Sequence, residues 1–285
     1  MNRIREGYLF VQNPFNANRF TKVDLSPRNV AAIVFWTKNP APLLGYLDEL
    51  DERGYRYYFQ FTVTAYPNLI EPSVPTEEQL LTTFQNLSAK IGAARVIWRF
   101  DPVLISDSAP EDTVLETFGR LAGCMKGQTQ EVVISFARFY RTVKRRLDRI
   151  EGETGVRFTD ITDNPGRMYG IAREMASVAR VNSMRIVSCA EKLDLSEVGI
   201  EHGKCIDNDL LEKIFGIHIE PEKDPYQRKE CGCVRSQDIG QYDTCLHDCL
   251  YCYANQNKSR AHKNRALHDP KSPYLIGSPA NRSQS

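Results

Sequence analysis

Three cysteines near the end of the chain have the spacing of a metal-binding loop. They lie in the stretch Cys245-Leu246-His247-Asp248-Cys249-Leu250-Tyr251-Cys252. Cysteine thiolates hold four-iron clusters. Because this loop supplies only three ligands, one iron would keep an open position, and an open position distinguishes catalytic metal sites from structural ones. The spacing therefore predicts a 4Fe-4S cluster that can take an exogenous ligand.

Zinc is the alternative metal for the same loop, because thiolates at short spacings also bind zinc. A zinc ribbon has two evenly paired halves, whereas this loop is one asymmetric triple. His247 lies inside the loop, either as a fourth ligand or as a solvated side chain. In this interpretation the chain is a non-catalytic, metal-stabilised binding module.

Four further cysteines form a second candidate set: Cys189, Cys205, Cys231 and Cys233. Four thiols saturate either a second 4Fe-4S cluster or a structural zinc ion. In the simpler interpretation, Cys189 is an ordinary buried thiol in an apolar strand, and Cys231 and Cys233 serve the first site. Spacing alone leaves these alternatives open.

The bulk composition is that of an ordinary globular protein. Of 285 residues, 41% are hydrophobic and 26% are charged, and the 37 basic and 36 acidic side chains nearly cancel. This balance removes any whole-molecule argument for a nucleic-acid or membrane partner. No stretch approaches the roughly 18 consecutive apolar residues of a membrane helix, and the first residues lack a secretory signal. The sequence predicts a cytoplasmic protein whose cysteines stay reduced.

Alternating strand and helix patterns must position these cysteines. Short apolar runs predict strands over 31–36, 57–63, 95–100, 131–137 and 184–190. Helical spacing of apolar residues occurs over 40–53, 77–91, 111–125 and 166–181. The alternation predicts an α/β fold with a parallel sheet, as a complete or partial β/α (TIM-like) barrel. A doubly wound open sheet is the alternative, because it has the same alternation.

The character of the sequence changes after Phe215, where regular alternation ends. We expect a β/α partial barrel over 1–220 and a cysteine-rich iron–sulfur loop over 221–256 that packs on it. Residues 257–285 contain few large apolar side chains. Their composition predicts a flexible basic and polar tail.

Polar residues stand at the end of every predicted strand. They are Thr37, Lys38, Asn39, Thr62, Thr64, Arg99, Asp101, Ser135, Arg138, Cys189 and Glu191. The reactive face of a β/α barrel lies at the carboxyl ends of its strands, so this pattern favours an active site there. For single residues a simpler interpretation also holds, in which Arg99 pairs with Asp101 and Lys38 is a solvated lysine.

Basic residues are concentrated between Arg138 and Arg149, beside Phe139 and Tyr140. Such a stripe can bind the phosphates of a nucleic acid. A solvated helix face is the commoner origin of this pattern, and the net charge near zero favours it. Nucleic-acid binding is therefore an unfavoured alternative.

The cysteine triple, followed by Tyr253 and Ala254, resembles the signature loop of the radical S-adenosylmethionine superfamily. This resemblance implies that Cys245, Cys249 and Cys252 are the cluster ligands. It also implies that S-adenosylmethionine caps the open iron and is cleaved reductively to a 5'-deoxyadenosyl radical. An electron donor such as ferredoxin or flavodoxin would then be a partner, and the substrate is unknown.

Three longer phrases resemble one bacterial and archaeal family of unassigned role, the domain of unknown function 1848. They are Phe35-Trp36-Thr37-Lys38-Asn39-Pro40, Trp98-Arg99-Phe100-Asp101-Pro102, and Asp238-Ile239-Gly240 before the cysteine triple. Related proteins such as spore photoproduct lyase carry the triple early, so the resemblance implies a permuted barrel with a C-terminal cluster loop. Chains of the family usually begin with an additional strand, which we expect to be missing here.

The resemblance also implies roles for residues of the predicted rim. Tyr251 would lie next to the adenine of the cofactor. Lys38 or Arg99 would bind its carboxylate, since a guanidinium can grip a carboxylate with two hydrogen bonds. Thr64 and Ser135 would contact the ribose or the substrate. A DNA-lesion lyase is a weaker alternative that rests on analogy with the superfamily alone.

Overall fold

The computed structural model describes residues 1–13 and 16–277. Its strands are β1 (Tyr8–Asn13), β2 (Asn16–Asp24), β3 (Ile33–Thr37), β4 (Tyr57–Thr62), β5 (Val96–Val103), β6 (Ile105–Ser106), β7 (Glu131–Phe136), β8 (Phe158–Thr159), β9 (Arg185–Ser188) and β10 (Glu201–His202). Its α-helices are α1 (Asn2–Glu6), α2 (Ala41–Leu44), α3 (Leu47–Glu52), α4 (Glu77–Ile91), α5 (Glu111–Met125), α6 (Arg141–Thr154), α7 (Pro165–Val181), α8 (Asn208–Phe215) and α9 (Lys258–Ala266).

A six-stranded parallel sheet forms the centre of the fold. Its strand order is β10-β9-β7-β5-β4-β3, and every neighbouring pair is parallel. The predicted α/β class with a parallel sheet is confirmed. The spatial order follows the chain order without the reversal that a doubly wound sheet requires. All carboxyl ends therefore meet at one edge, which we call the carboxyl edge.

The five apolar runs all become strands of this sheet, and three predicted helices, α4, α5 and α7, have the expected bounds to within one residue. Helix α4 begins at Glu77, and its N-cap Thr76 forms a reciprocal capping box with Gln79. Helix α7 begins at Pro165, with Asn164 as its N-cap. The predicted helix over 40–53 is instead two short helices, α2 and α3, with Gly45 between them, because glycine is a poor helix former.

The two faces of the sheet bury different residues. Phe59 and Trp98 belong to the large core beneath α4, α5 and α7, where Trp98 stacks on Phe118 with ring centroids 5.0 Å apart. Tyr58 and Ile97, one position away on the same strands, belong to a smaller cluster that includes residues of α8. Successive side chains of a strand point to opposite faces, so both faces are covered by the chain.

The N-terminal hairpin contacts the last described part of the chain. Strands β1 and β2 pair antiparallel, and the Phe10 ring stacks on the Tyr274 ring at 5.1 Å. The Phe10 amide also donates to the Pro273 carbonyl at 2.8 Å. Helix α9 lies in the segment for which the sequence predicts a flexible tail. The flexibility of residues 257–285 stays a prediction, and residues 278–285 lie outside the described residues.

Among the described residues, none of the helices combines the length and the apolar character needed to span a bilayer.

Candidate functional site

The triple-cysteine loop, residues 243–257, lies against the segment that follows β4. The Leu250 amide donates to the Ile70 carbonyl at 2.9 Å, and the Ser73 amide donates to the His247 carbonyl at 3.2 Å. His247 Nδ1 in turn donates to the Ser73 carbonyl oxygen at 2.9 Å. These main-chain contacts hold the loop close to Glu71.

Arg146 of helix α6 holds the loop from its other side. Its guanidinium donates to four main-chain carbonyls, at 2.9, 2.8, 3.2 and 2.5 Å; these carbonyls belong to Cys249, Leu250, Cys252 and Asn255. Leu250 also packs with Val143 and Leu147 of the same helix. Hydrogen bonds to a charged donor are stronger than neutral ones, so α6 fixes the backbone that carries Cys249 and Cys252.

The loop is also closed on itself. Asn255 Nδ2 donates to the Cys245 carbonyl at 2.5 Å. The Asp243 carboxylate accepts from the amides of Gln256 and Asn257 at 2.5 and 3.3 Å. The Asp243 amide meets the Ala254 carbonyl at 2.9 Å. The cysteines therefore project from a backbone that is held at its start, its middle and its end.

Glu71 gathers three residues that the sequence singles out as cofactor contacts. Lys38 Nζ donates to Glu71 Oε1 at 2.9 Å and to Thr64 Oγ1 at 2.9 Å. The Thr64 and Tyr251 hydroxyls also donate to the same carboxylate oxygen. The side chains of Lys38 and Glu71 are 11% and 2% exposed, so this is a buried ion pair. The sequence predicts roles for Lys38, Thr64 and Tyr251, which stay predictions, and it assigns no role to the carboxylate that joins them.

Glu71 has a weak sequence signal. It is the single acidic residue between Glu52 and Glu77. A lone carboxylate in so apolar a stretch is costly to bury without a partner. That signal marks Glu71 as a residue with a partner, but it does not say that the partner is Lys38.

Asp101 gathers the other two predicted cofactor contacts. Arg99 Nε donates to Asp101 Oδ2 at 3.0 Å, and the Ser135 hydroxyl donates to Asp101 Oδ1. Arg99 Nη1 also donates to Gln60 Oε1 at 3.0 Å. Arg99 lowers the pKa of Asp101, against the upward effect of burial. Arg99 and Asp101 thus pair with each other, and Ser135 joins that pair.

Other residues of the rim have local partners. The Thr37 hydroxyl accepts from the Asn39 amide at 2.9 Å. The Glu191 carboxylate accepts from the Phe136 amide at 2.8 Å and from Arg138 at 3.3 Å. Burial raises the pKa of Glu191 despite these donors. These contacts link neighbouring strand ends, so they hold the carboxyl edge together.

The second cysteine set comes together from three parts of the chain. Cys189 follows β9, Cys205 follows β10, and Cys231 and Cys233 lie in the later loop. The sulfur atoms of Cys189 and Cys205 are 3.4 Å apart. The Cys233 thiol lies within hydrogen-bonding reach of the thiols of Cys205 and Cys231. The set is therefore continuous in space.

The crowding of thiols changes their acidity. The hydrogen bond to Cys205, together with burial, raises the pKa of the Cys189 thiol well above its usual value. A hydrogen bond from Cys233 lowers the pKa of Cys231 to about 7. In the first set, burial raises the pKa of Cys249 to about 12, although Lys38 acts to lower it. Buried thiols without a compensating charge are the environment that a bound metal cation would stabilise.

Within residues 1–13 and 16–277, no three His, Cys, Asp or Glu side chains converge tightly enough to hold a metal ion. Both sets are therefore groups of neighbouring thiols rather than preformed coordination spheres. The donor types still fit the groups that the sequence predicts. Three thiols on one braced loop match an iron–sulfur cluster with an open position, and four thiols match a saturated site.

Four residues in or beside the candidate site have backbone conformations that favour glycine, and Asp243, with φ 56°, begins the triple-cysteine loop. Ala65 follows Thr64 with φ 51°, Ala190 follows Cys189 with φ 49°, and Asp248 precedes Cys249 with φ 57°. Left-handed conformations at such residues cost of order 1–3 kcal/mol and are concentrated at functional sites. The strain therefore lies beside residues of both cysteine sets.

Four of the six basic side chains over 138–149 have partners within the molecule. Arg138 pairs with Glu191, and Lys144 pairs with Asp148 at 2.7 Å. Arg149 lies 3.7 Å from Glu153, while Arg146 holds the triple-cysteine loop. These pairings reduce the positive charge that the helix could present to phosphates.

The fold and the site define a class of protein: a singly wound parallel α/β protein with two sets of cysteines at its carboxyl edge. The chain belongs to the family described as Domain of unknown function (DUF1848), which it matches over residues 1–254. That range includes every cysteine of the chain, and the family membership expected from the three phrases is confirmed. No curated protein and no solved structure matches the chain.

Proposed function

We propose that this protein is a radical S-adenosylmethionine-type enzyme whose 4Fe-4S cluster is held by Cys245, Cys249 and Cys252. The observation that carries the proposal is the position of the triple-cysteine loop. It is braced on α6 by Arg146 and lies beside the buried Lys38–Glu71 pair at the carboxyl edge. When bound, the cluster supplies the electron for reductive cleavage of S-adenosylmethionine.

The Lys38–Glu71 pair suits the amino-acid end of that cofactor. It offers one cation and one anion side by side, and an α-amino acid carries one group of each opposite sign. Exchange of partners would bring the cofactor carboxylate to Lys38 and its amino group to Glu71. Because the pair is already desolvated, its interactions are stronger than the same contacts in water.

The remaining predicted contacts divide between two positions. The Tyr251 ring lies under Lys38, with Nζ 5.6 Å from the ring centre, and it is our candidate for the adenine contact. Thr64 lies between Lys38 and Glu71 and would contact the ribose. Arg99 and Ser135 meet at Asp101, and we place the unknown substrate there.

The fold proposal is a permuted partial barrel. The parallel sheet is wound in chain order, as a β/α barrel is. The triple-cysteine loop reaches its carboxyl edge from the C-terminal end of the chain. Cluster chemistry requires this proximity and does not depend on the order of the elements. A ferredoxin or flavodoxin would supply the electron.

The test is anaerobic reconstitution with iron and sulfide, followed by dithionite, S-adenosylmethionine and chromatography for 5'-deoxyadenosine. We expect a brown protein that forms this product. The matched control is Cys124→Ala, because Cys124 is exposed on α5 and belongs to neither set. A colourless zinc protein that leaves the cofactor intact would overturn the proposal and favour a metal-stabilised binding module.

A further inference from the structure

We propose that Cys189, Cys205, Cys231 and Cys233 form a tetrathiolate site for a single zinc ion, separate from the triple-cysteine loop. This inference concerns a different set of residues from the proposed cluster and does not depend on it. It rests on the spacing of the sulfurs, on the donors aimed at them, and on the backbone that brings them together.

The separation of the Cys189 and Cys205 sulfurs favours one metal ion over a cluster. Cys189 and Cys205 have their sulfurs 3.4 Å apart. Four sulfurs around zinc at about 2.3 Å in a tetrahedron lie about 3.8 Å from one another. In a four-iron cluster each thiolate binds a different iron, so the ligand sulfurs lie farther apart. The observed separation is therefore close to that of a mononuclear site.

Two sulfurs of the set receive N–H donors. The amides of Cys205 and Ile206 donate to Cys233 Sγ at 3.2 and 3.3 Å. Arg99 Nη1 donates to Cys205 Sγ at 2.9 Å. Donors of this kind orient metal-bound thiolates and offset their charge. A tetrathiolate zinc centre carries two net negative charges, so a guanidinium against one sulfur suits it.

Two glycines allow the chain segments to approach. A Cβ at Gly203 would meet Val187 Cγ2 at 2.6 Å, so only glycine fits between β9 and the segment leading to Cys205. A Cβ at Gly232 would meet Lys204 Cγ at 3.2 Å, which shows how closely the Cys231–Cys233 turn packs on that segment. The close packing at these two glycines accompanies the approach of Cys233 to Cys205, whose amide lies 3.2 Å from Cys233 Sγ.

The sheet anchors Cys205 firmly. The Tyr58 hydroxyl and Gln60 Nε2 both donate to its carbonyl, at 2.6 and 3.2 Å. Cys205 and Cys233 are 4% and 5% exposed, and the Val234 amide donates to the Ile206 carbonyl at 3.1 Å. These hydrogen bonds tie the backbone of Cys205 to β4 and join the segment of Cys233 to it.

The site would join the last third of the chain to the sheet. Cys189 and Cys205 belong to the β9–β10 end of the sheet, and Cys231 and Cys233 belong to the segment before the triple-cysteine loop. A metal ion that links them fixes the path by which that loop reaches the carboxyl edge. Structural zinc sites contribute their binding free energy to folding.

The experiment uses the full chain with Cys245, Cys249 and Cys252 all replaced by alanine, so that any remaining metal belongs to the second set. The protein is purified anaerobically, and its zinc, iron and sulfide are counted. We expect about one zinc ion per chain and no sulfide. Zinc should be lost when Cys205→Ser is added and kept when Cys124→Ser is added instead.

A second measurement covers the case in which the Cys205→Ser chain does not fold. Zinc-loaded protein with all its cysteines is alkylated under native conditions and the modified sites are located by mass spectrometry. The four cysteines of the second set should be protected until a chelator is added, whereas Cys124 should react at once. Four irons with sulfide in the triple variant, a Cys189–Cys205 disulfide, or absence of metal and of protection would overturn the proposal.

Discussion

The two cysteine sets reach the same edge of the sheet by different routes. Cys245, Cys249 and Cys252 lie within eight consecutive residues, on a loop held by Arg146 and closed by Asn255. The second set spans the chain from Cys189 to Cys233 and meets only because β9, β10 and the later loop pack together. Short spacing therefore suits a loop that must expose an open metal position, and long spacing suits a site that ties segments together.

The largest expected effect is on activity, and it distinguishes the first cysteine set from the second. Replacing Cys245, Cys249 or Cys252 by alanine should abolish 5'-deoxyadenosine formation, because two thiolates cannot hold the cluster. The change should leave the thermal unfolding midpoint of the metal-free protein nearly unchanged. Substantial product from any of these variants would mean that the loop is not the catalytic one, and Cys124→Ala is the control.

The next largest expected effect is on stability, and it distinguishes the second cysteine set from the first. Removing zinc from the second set with a chelator should lower the thermal unfolding midpoint by roughly 10 °C, since a ligand at a thousandfold over its Kd adds about 4 kcal/mol. Calorimetry of the variant with Cys245, Cys249 and Cys252 replaced measures this directly. An unchanged unfolding midpoint would mean that the second set does not stabilise the fold, and the distinction between a catalytic and a structural set would fail.

Variants of the Lys38–Glu71 pair test the cofactor role that we propose for the surroundings of the first set. Lys38→Met should cost about 3–5 kcal/mol of unfolding free energy, because it leaves the Glu71 carboxylate buried without its cation. The double variant Lys38→Met with Glu71→Gln should cost less, and both should raise the KM for S-adenosylmethionine. Urea unfolding gives the free energies, and an unaltered KM in a folded variant would contradict the cofactor role of the pair.

The smallest effect concerns how the loop of the first set is held. Arg146→Gln should raise amide hydrogen exchange over 249–255 in the metal-free protein, since carbonyls that lose their donor each cost about 1–3 kcal/mol if buried. Arg145→Gln, on the same helix, is the matched control. Equal exchange in the two variants would show that the loop is held by its own hydrogen bonds.

Much of the fold follows from patterns along the chain. Apolar runs identify the strands of the central sheet apart from β10, and capping residues such as Thr76 place the start of α4, because these signals act between residues close in sequence. The β1–β2 hairpin and the contact of Phe10 with Tyr274 were not predicted. Their partners lie far apart or in segments without a clear apolar period, so local pattern carries no signal for them.

The candidate site also has features that the sequence predicts and features that it does not. The sequence predicted separate roles for Lys38, Thr64 and Tyr251, yet it assigned none to Glu71, the carboxylate to which all three donate. The sequence predicted Arg99 either as a cofactor contact or as the partner of Asp101, and the guanidinium donates to Asp101, Gln60 and Cys205. Residue type can suggest a role, but hydrogen-bond partners depend on which strands become neighbours.

By itself, the sequence determined the α/β class, the family and the short spacing of three cysteines within one loop. Each of these depends on residues that are close together along the chain, where spacing alone conveys the geometry. The tertiary structure decided that Glu71 joins Lys38 to Tyr251, that Arg146 braces the loop, and that Cys205 lies beside both Cys189 and Cys233. Those contacts arise from the packing of distant segments, and spacing along a chain does not encode distance through space.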